Sequence, residues 1–199
     1  PHALNQDFDS IENINKIYDE INYGKASAIL AYLESLDLKG FQSMISSLIE
    51  KNYNQPITSE IFEENLYNTL HSVPQIKRFY TDFFTRRGSN TLTCDNFEYS
   101  EEKNITTVKI SQGVYKESSL FLRSFSSNCL IFFKGEEEPQ DFKCENHYSE
   151  EVLRIDFEGK VLALILNHDQ LACVCAGLDK ISRQYFIEND RILNYCDVL

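Results

Sequence analysis

Histidines one helical turn apart are the usual start of a catalytic zinc site, so the four here, His2, His71, His147 and His168, are the first residues to weigh. No pair among them has H-E-x-x-H spacing, and Glu20, Glu34 and Asp37 stand at no metal-ligand interval from a histidine. Cys144-Glu145-Asn146-His147 has the form of half a structural zinc site. No second half follows, because Cys173-Val174-Cys175 has one intervening residue and alternates faces if extended. No metal is expected in this chain. His168 and Asp169 are neighbours that a strand would point to opposite faces, so they read as turn and cap residues rather than a proton relay. Asn104-Ile105-Thr106 is a glycosylation triplet in an expected hairpin. Tyr23 opens an amphipathic run continued by Ile29, Leu30, Leu33 and Leu36, and from the residues alone its ring reads as core.

The chain around these residues is globular in composition, with 199 residues, 42% apolar and 13% aromatic content. Its 31 acidic against 19 basic side chains give a formal charge of -12, which opposes direct nucleic-acid binding because no basic stripe exists to release counterions. Such a surface suits cationic peptides and their free amines, and it also keeps a protein soluble. No apolar run approaches the roughly 20 residues of a membrane span. The six cysteines, Cys94, Cys129, Cys144, Cys173, Cys175 and Cys196, are irregularly spaced and read mostly as buried free thiols. The sequence does not fix the compartment, and the cytoplasm is the expectation. The chain starts at Pro1, which reads as a processed product or a piece of a longer chain.

Residues 1–88 read as helical. Leu38, Phe41, Met44, Ile45, Leu48 and Ile49 recur at three- and four-residue steps, as on one helix face. Thr58 can cap a second helix carrying Ile61, Phe62, Leu66, Tyr67 and Leu70. A third starts near Pro74, carries Ile76, Phe79, Tyr80, Phe83 and Phe84, and stops at Gly88. From Asn90 the period becomes two, and strands are predicted over 91–94, 105–110, 119–125, 129–133, 152–157 and 161–166. Glu158-Gly159-Lys160 carries a hairpin signal between the last pair, and the acidic run Glu136-Glu137-Glu138 reads as a solvated turn. After Asp169, which could cap it, a helix is predicted with Leu171, Val174, Cys175, Leu178 and Ile181 on one face. The fold class is therefore α+β in several parts: a helical subdomain, a small antiparallel β-sandwich and a C-terminal helix.

Residues 17–34, Ile17-Tyr18-Asp19-Glu20-Ile21-Asn22-Tyr23-Gly24-Lys25-Ala26-Ser27-Ala28-Ile29-Leu30-Ala31-Tyr32-Leu33-Glu34, resemble the segment of aminopeptidase N type zinc aminopeptidases reading I-F-D-x-I-x-Y-x-K-G-A-x-V-L-R-M-L-E. Tyr23 and Lys25 fall on the family's Tyr-x-Lys. Phe41 through Tyr53 with Ile57-Thr58-Ser59-Glu60-Ile61-Phe62 resembles the family's next helical segment. Phe83 through Thr93 resembles W-x-x-Q-x-G-x-P-x-L-x-V at the start of its sandwich, Ile110-Ser111-Gln112 its L-x-Q, and residues 161–176 its sandwich exit. Departures stand at Ala26 for the family glycine, Phe83 or Phe84 for a tryptophan, Asn90 for a proline and Cys173-Val174 for Arg-Trp.

The resemblance implies that residues 1–88 end a thermolysin-like catalytic domain, 89–168 form the β-sandwich and 169–199 begin a helical domain. It implies an oxyanion-stabilising role for Tyr23, whose phenol would donate to the scissile carbonyl oxygen as charge develops there. It also implies that an N-terminal half, absent from this sequence, binds the zinc of the complete enzyme, activates water and anchors the substrate amine. The expected function is N-terminal residue removal from peptides when that half completes the site, with this chain alone inactive. The alternative is an aminopeptidase-like scaffold without chemistry. Either reading calls for the missing half or another protein chain as partner, and the face carrying Ile29, Leu33 and Met44 is the expected docking surface.

Overall fold

A computed structural model of the chain describes residues 3–5, 21–115, 123–146, 152–170, 172 and 174–189. It divides into two compact units, Pro1–Gly88 and Ser89–Leu199. The α+β organisation is that expected, with helices first, two sheets next and a helix last.

Among the described residues of the first unit, a π-helical turn, Ile21–Lys25, runs into α1 (Ala26–Leu36). Asp37 separates α1 from α2 (Leu38–Lys51) and caps the latter, its Oδ1 accepting from the Gly40 N–H at 2.9 Å. Ser72 donates to the other Asp37 oxygen, so one carboxylate fastens the start of α2 to a later turn. A side chain at Gly40 would collide with that carboxylate and with Leu70, which makes glycine necessary there. Thr58 caps α3 (Ser59–Thr69) as expected, its Oγ1 accepting from the Ile61 N–H. α4 (Ile76–Tyr80) continues into a second π-helical turn, Thr81–Thr85, and Gly88 is left-handed at φ 78°.

Aromatic rings fill this unit because the third stripe is almost wholly aromatic. Phe79 and Phe83 lie 4.5 Å apart between centroids, Tyr32 lies 5.8 Å from Phe79, and Tyr80 stacks on Phe84 at 5.1 Å. Ile29, Leu33 and Met44 are fully buried. The expected open docking face is thus corrected: α1–α2 and α2–α3 packing needs those three side chains as core. The apolar residues left exposed are others, among them Leu38, Ile49 and Tyr53.

In the second unit β1 (Ser89–Ser100) and β2 (Ile105–Tyr115) form a long antiparallel hairpin with an irregularity between Cys94 and Asn96. β3 (Phe125–Phe133), β4 (Gln140–Asn146), β5 (Val152–Glu158), β6 (Val161–Ile165) and β7 (Val174–Ala176) follow. One sheet has the order β5-β2-β1-β7 and the other β4-β3-β6. The predicted strands over 119–125 and 129–133 are resolved differently: β3 runs unbroken from Phe125, and residues 116–122 lie outside the described residues. β3 is buried along most of its length because both its faces are covered. Leu130 and Phe132 pack under α5 (Lys180–Asn189) with Ala163, Ile165 and Phe186. Phe186 meets Phe132 edge-on at 5.1 Å. Asp179 caps α5 through the Ile181 and Ser182 N–H groups, and Ser182 Oγ accepts from the Leu164 N–H at 2.9 Å, covering the edge of β6.

Two sequence expectations are corrected here. Glu158-Gly159-Lys160 joins no hairpin, since β5 pairs with β2 and β6 with β3. It is a corner between sheets, held by the buried Thr106: its Oγ1 donates to the Gly159 carbonyl at 2.6 Å and accepts from the Val161 N–H at 3.0 Å. The Gly159 N–H in turn donates to the Asn104 carbonyl. The helix expected from Asp169 starts only at Lys180, because Val174 and Cys175 sit in β7, parallel to β1. Asn167 holds that connection, pairing its side-chain amide with Ala172 N–H and C=O and with the Val174 carbonyl.

Candidate functional site

Tyr23 sits in the middle of the first π-helical turn, and its ring is 65% exposed. Its hydroxyl has no hydrogen-bond partner among the described residues. This corrects the reading of the ring as core. The helix buries Ile29, Tyr32 and Leu33 on one face, and the wider π turn before it leaves Tyr23 facing water. Single π turns of this kind are uncommon inside helices and recur at functional positions.

Lys25 ends the same turn and is half-buried. Its ammonium donates to the Arg86 main-chain carbonyl at 3.1 Å, at the end of the second π turn. Arg86 also pairs with the fully buried Asp82 at 2.8 Å, and Arg78 approaches that carboxylate from one helical turn earlier. Tyr23 therefore projects from a segment fixed at Lys25 to an ion-paired helix end. Ser27 adds a bond to the Gly24 carbonyl at 3.0 Å. A side chain at Gly24 would meet nothing, and Ala26, in the family glycine's place, is partly buried without strain at positive φ. A phenol presented this way can donate a hydrogen bond to an anionic oxygen without first breaking an internal one.

The other candidates are scattered. Glu34 is exposed, Asp37 is the α2 cap, and His71 lies in an exposed turn. His168 lies in the turn after β6 with its Nε2 3.4 Å from Asp141 Oδ1, while Asp169 accepts from Asn128 Nδ2 at 2.5 Å. His168 and Asp169 do occupy a turn, as expected, but Asp179 rather than Asp169 caps the following helix. Glu20, His2, His147 and Cys173 lie outside the described residues. Among the described residues no three His, Cys, Asp or Glu side chains are placed to hold a metal ion. Cys144, half of the discounted zinc pattern, is buried against Cys129. These described residues do not fit a zinc site.

The fold agrees with a solved protein. The crystal structure of Legionella pneumophila aminopeptidase A in complex with aspartic acid matches 98% of this chain with a TM-score of 0.65 and 16% sequence identity. This chain spans 22% of that protein's length. No family model and no curated protein matches the chain. The likeness establishes an aminopeptidase-like fold.

A buried polar cluster in the second unit was invisible to sequence reasoning. Gln112 Oε1 accepts from Asn90 Nδ2 at 2.6 Å and from the Arg123 N–H at 2.8 Å, while Gln112 Nε2 donates to the Arg123 carbonyl at 2.9 Å. Arg123 Nη1 donates to Asn90 Oδ1 at 2.6 Å. In the sequence Gln112 stands out only as a motif position and Asn90 only as the residue in place of the family proline. Together they hold a guanidinium that is 2% exposed. No described helix is long and apolar enough to cross a membrane.

Proposed function

We propose that this chain is part of an aminopeptidase of the aminopeptidase N type, acting in removal of N-terminal residues from peptides when a zinc-binding half outside this sequence completes the site. One observation carries the reading: the exposed, unbonded Tyr23 phenol on a π turn anchored by Lys25, at the residues that match the family's Tyr-x-Lys. The aminopeptidase-like fold supports it. In this reading Tyr23 donates to the oxygen of the carbonyl under attack, where negative charge grows most, and its contribution is to the transition state rather than to substrate binding. The acidic surface favours approach of the substrate's free amine.

A second reading, a scaffold of the same fold without chemistry, is supported by α2. Leu38 and Ile49 stand exposed on it and Tyr53 just beyond it, at 52%, 61% and 77% exposure, apolar side chains that another polypeptide could cover. Hydrolysis of amino-acid amides by the full-length protein separates the two. Activity that depends on Tyr23 supports the enzyme, and a folded full-length protein inert toward every amide supports the scaffold. Substitution of Ile49 by aspartate then acts on association in the scaffold and leaves amide hydrolysis unchanged in the enzyme.

A further inference from the structure

We propose that Cys129 and Cys144 form a redox modification site, a buried pair of thiols that a peroxide converts to a disulfide joining β3 to β4. The register places them: Ser127 stands opposite Cys144, and Cys129 stands opposite Phe142. Residues two apart on a strand share a face, so both sulfurs lie on the same side of the sheet as diagonal neighbours. Both residues are buried, at 0% and 1% exposure. Each thiol is the first influence on the other's proton affinity, as two sulfurs within reach of one another are.

The surroundings make the two sulfurs unequal. Cys129 donates its S–H to the Ser127 carbonyl at 3.7 Å and has Ser127 Oγ at 3.5 Å, and its sulfur is also approached by the Cys144 thiol and by the main-chain N–H groups of Asn167 and Cys144. The Cys144 thiol, with Ser127 Oγ and those N–H groups, holds the Cys129 thiol below its usual range despite burial. Cys144 is pushed the other way, first by the Cys129 thiol and then by burial. One nucleophile and one partner thiol result. Cys94 offers a contrast: burial pushes it up to about 12.

The chemistry closes with one peroxide. The Cys129 thiolate attacks a peroxide oxygen, the O–O bond breaks, and the departing hydroxide leaves as water with the proton that Cys129 lost. The Cys144 sulfur then attacks the sulfenic Cys129, the S–O bond breaks, and the second oxygen leaves as water with the remaining protons. Two thiols lose two electrons and the peroxide gains them. Diagonal backbone positions across an antiparallel pair stand about 7–8 Å apart, slightly beyond the separation a disulfide spans, so a small shift of one strand is needed. β4 can supply it, because among the described residues it pairs with β3 alone and forms the edge of that sheet. Opening of the same edge admits the oxidant.

The test uses the reduced, folded chain and hydrogen peroxide, followed by alkylation of free thiols, digestion without reductant and mass mapping. The expected product is a peptide pair joined through Cys129 and Cys144, lighter by two hydrogens and exceeding any other pairing by on the order of tenfold because the partners are preplaced. In Cys144→Ser the reaction stops at a Cys129 sulfenic acid that dimedone traps. If that variant does not fold, the mapping of the unsubstituted chain decides alone. Recovery of Cys129 and Cys144 as free thiols after Cys175 has been consumed overturns the proposal. So does a pattern of pairings in the folded chain that matches the one in urea.

Discussion

The Lys25 ammonium donates to the Arg86 carbonyl across 61 residues of sequence, at 3.1 Å, and joins the two π-helical turns of the first unit. A lysine usually places its charge in water, and here the half-buried stem directs it onto a helix end, where the carbonyls carry partial negative charge. Tyr23 lies two residues before it and inherits its position from that bond.

Lys25→Met keeps the stem and removes the donor. A loss of about 1 kcal/mol is expected, below the full value of a charged hydrogen bond because the site is partly solvated. Hydrogen exchange should quicken at residues 21–25 while α2 and α3 are unchanged. Equal protection in both proteins would show that the bond does not hold the turn.

Thr106→Val is expected to destabilise the second unit by about 2–3 kcal/mol, since it strands the Val161 N–H and the Gly159 carbonyl without replacing either bond. Thr107→Val is the control, because its bond to Asp156 is exposed and its loss should be nearly silent. Urea unfolding of the two variants checks this. Equal midpoints would mean that the corner holds without Thr106.

Phe186→Ala removes a fully buried ring from the cluster of Leu130, Phe132, Ala163 and Ile165, at an expected cost of about 3–5 kcal/mol. Ile187→Ala, at an exposed position, should cost little. If the two substitutions shift thermal unfolding alike, α5 is not part of that core.

Asp37 gives a pH dependence. The hydrogen bond from Ser72, and then that from the Gly40 N–H, hold its carboxyl below the ordinary 3.8. A depressed folded value means the stabilisation is complete above 3.8 and is lost as the pH falls through the folded value beneath it. The stability difference between the natural chain and Asp37→Asn should therefore be constant near neutrality and shrink only below 3.8, as followed by helical circular dichroism. A difference that shrinks between neutrality and 5 would assign the effect to another group.

Local signals were legible, and partners distant in sequence were not. Thr58 announced its cap, and the aromatic spacing from Ile76 to Phe84 announced its helix, because both depend on residues a few positions apart. Gly159 announced a turn but not which strands it joins: the left-handed glycine serves a hairpin and a corner between sheets equally, and Thr106, which decides, lies 53 residues away. Val174 and Cys175 fell on a helical period by chance, and their pairing with β1 was set by Asn167. β4 escaped because Asp141, Lys143 and Glu145 alternate with Phe142 and Cys144, the charged pattern of an edge strand that resembles a loop. Tyr23 was legible as a residue of interest through resemblance, but its exposure required the π turn, which no periodicity signals.

The central claim is that Tyr23 serves the reaction and not the fold, and Tyr23→Phe in the full-length protein tests it most directly. Amide hydrolysis is measured alongside thermal unfolding. The expected result is a fall in kcat on the order of a hundred- to a thousand-fold, with KM nearly unchanged, because one donor to the transition-state oxyanion is lost. The unfolding midpoint should not move, since the hydroxyl is exposed and unbonded. Turnover equal to that of the unsubstituted protein, or a loss of turnover that only follows a loss of stability, would contradict the account.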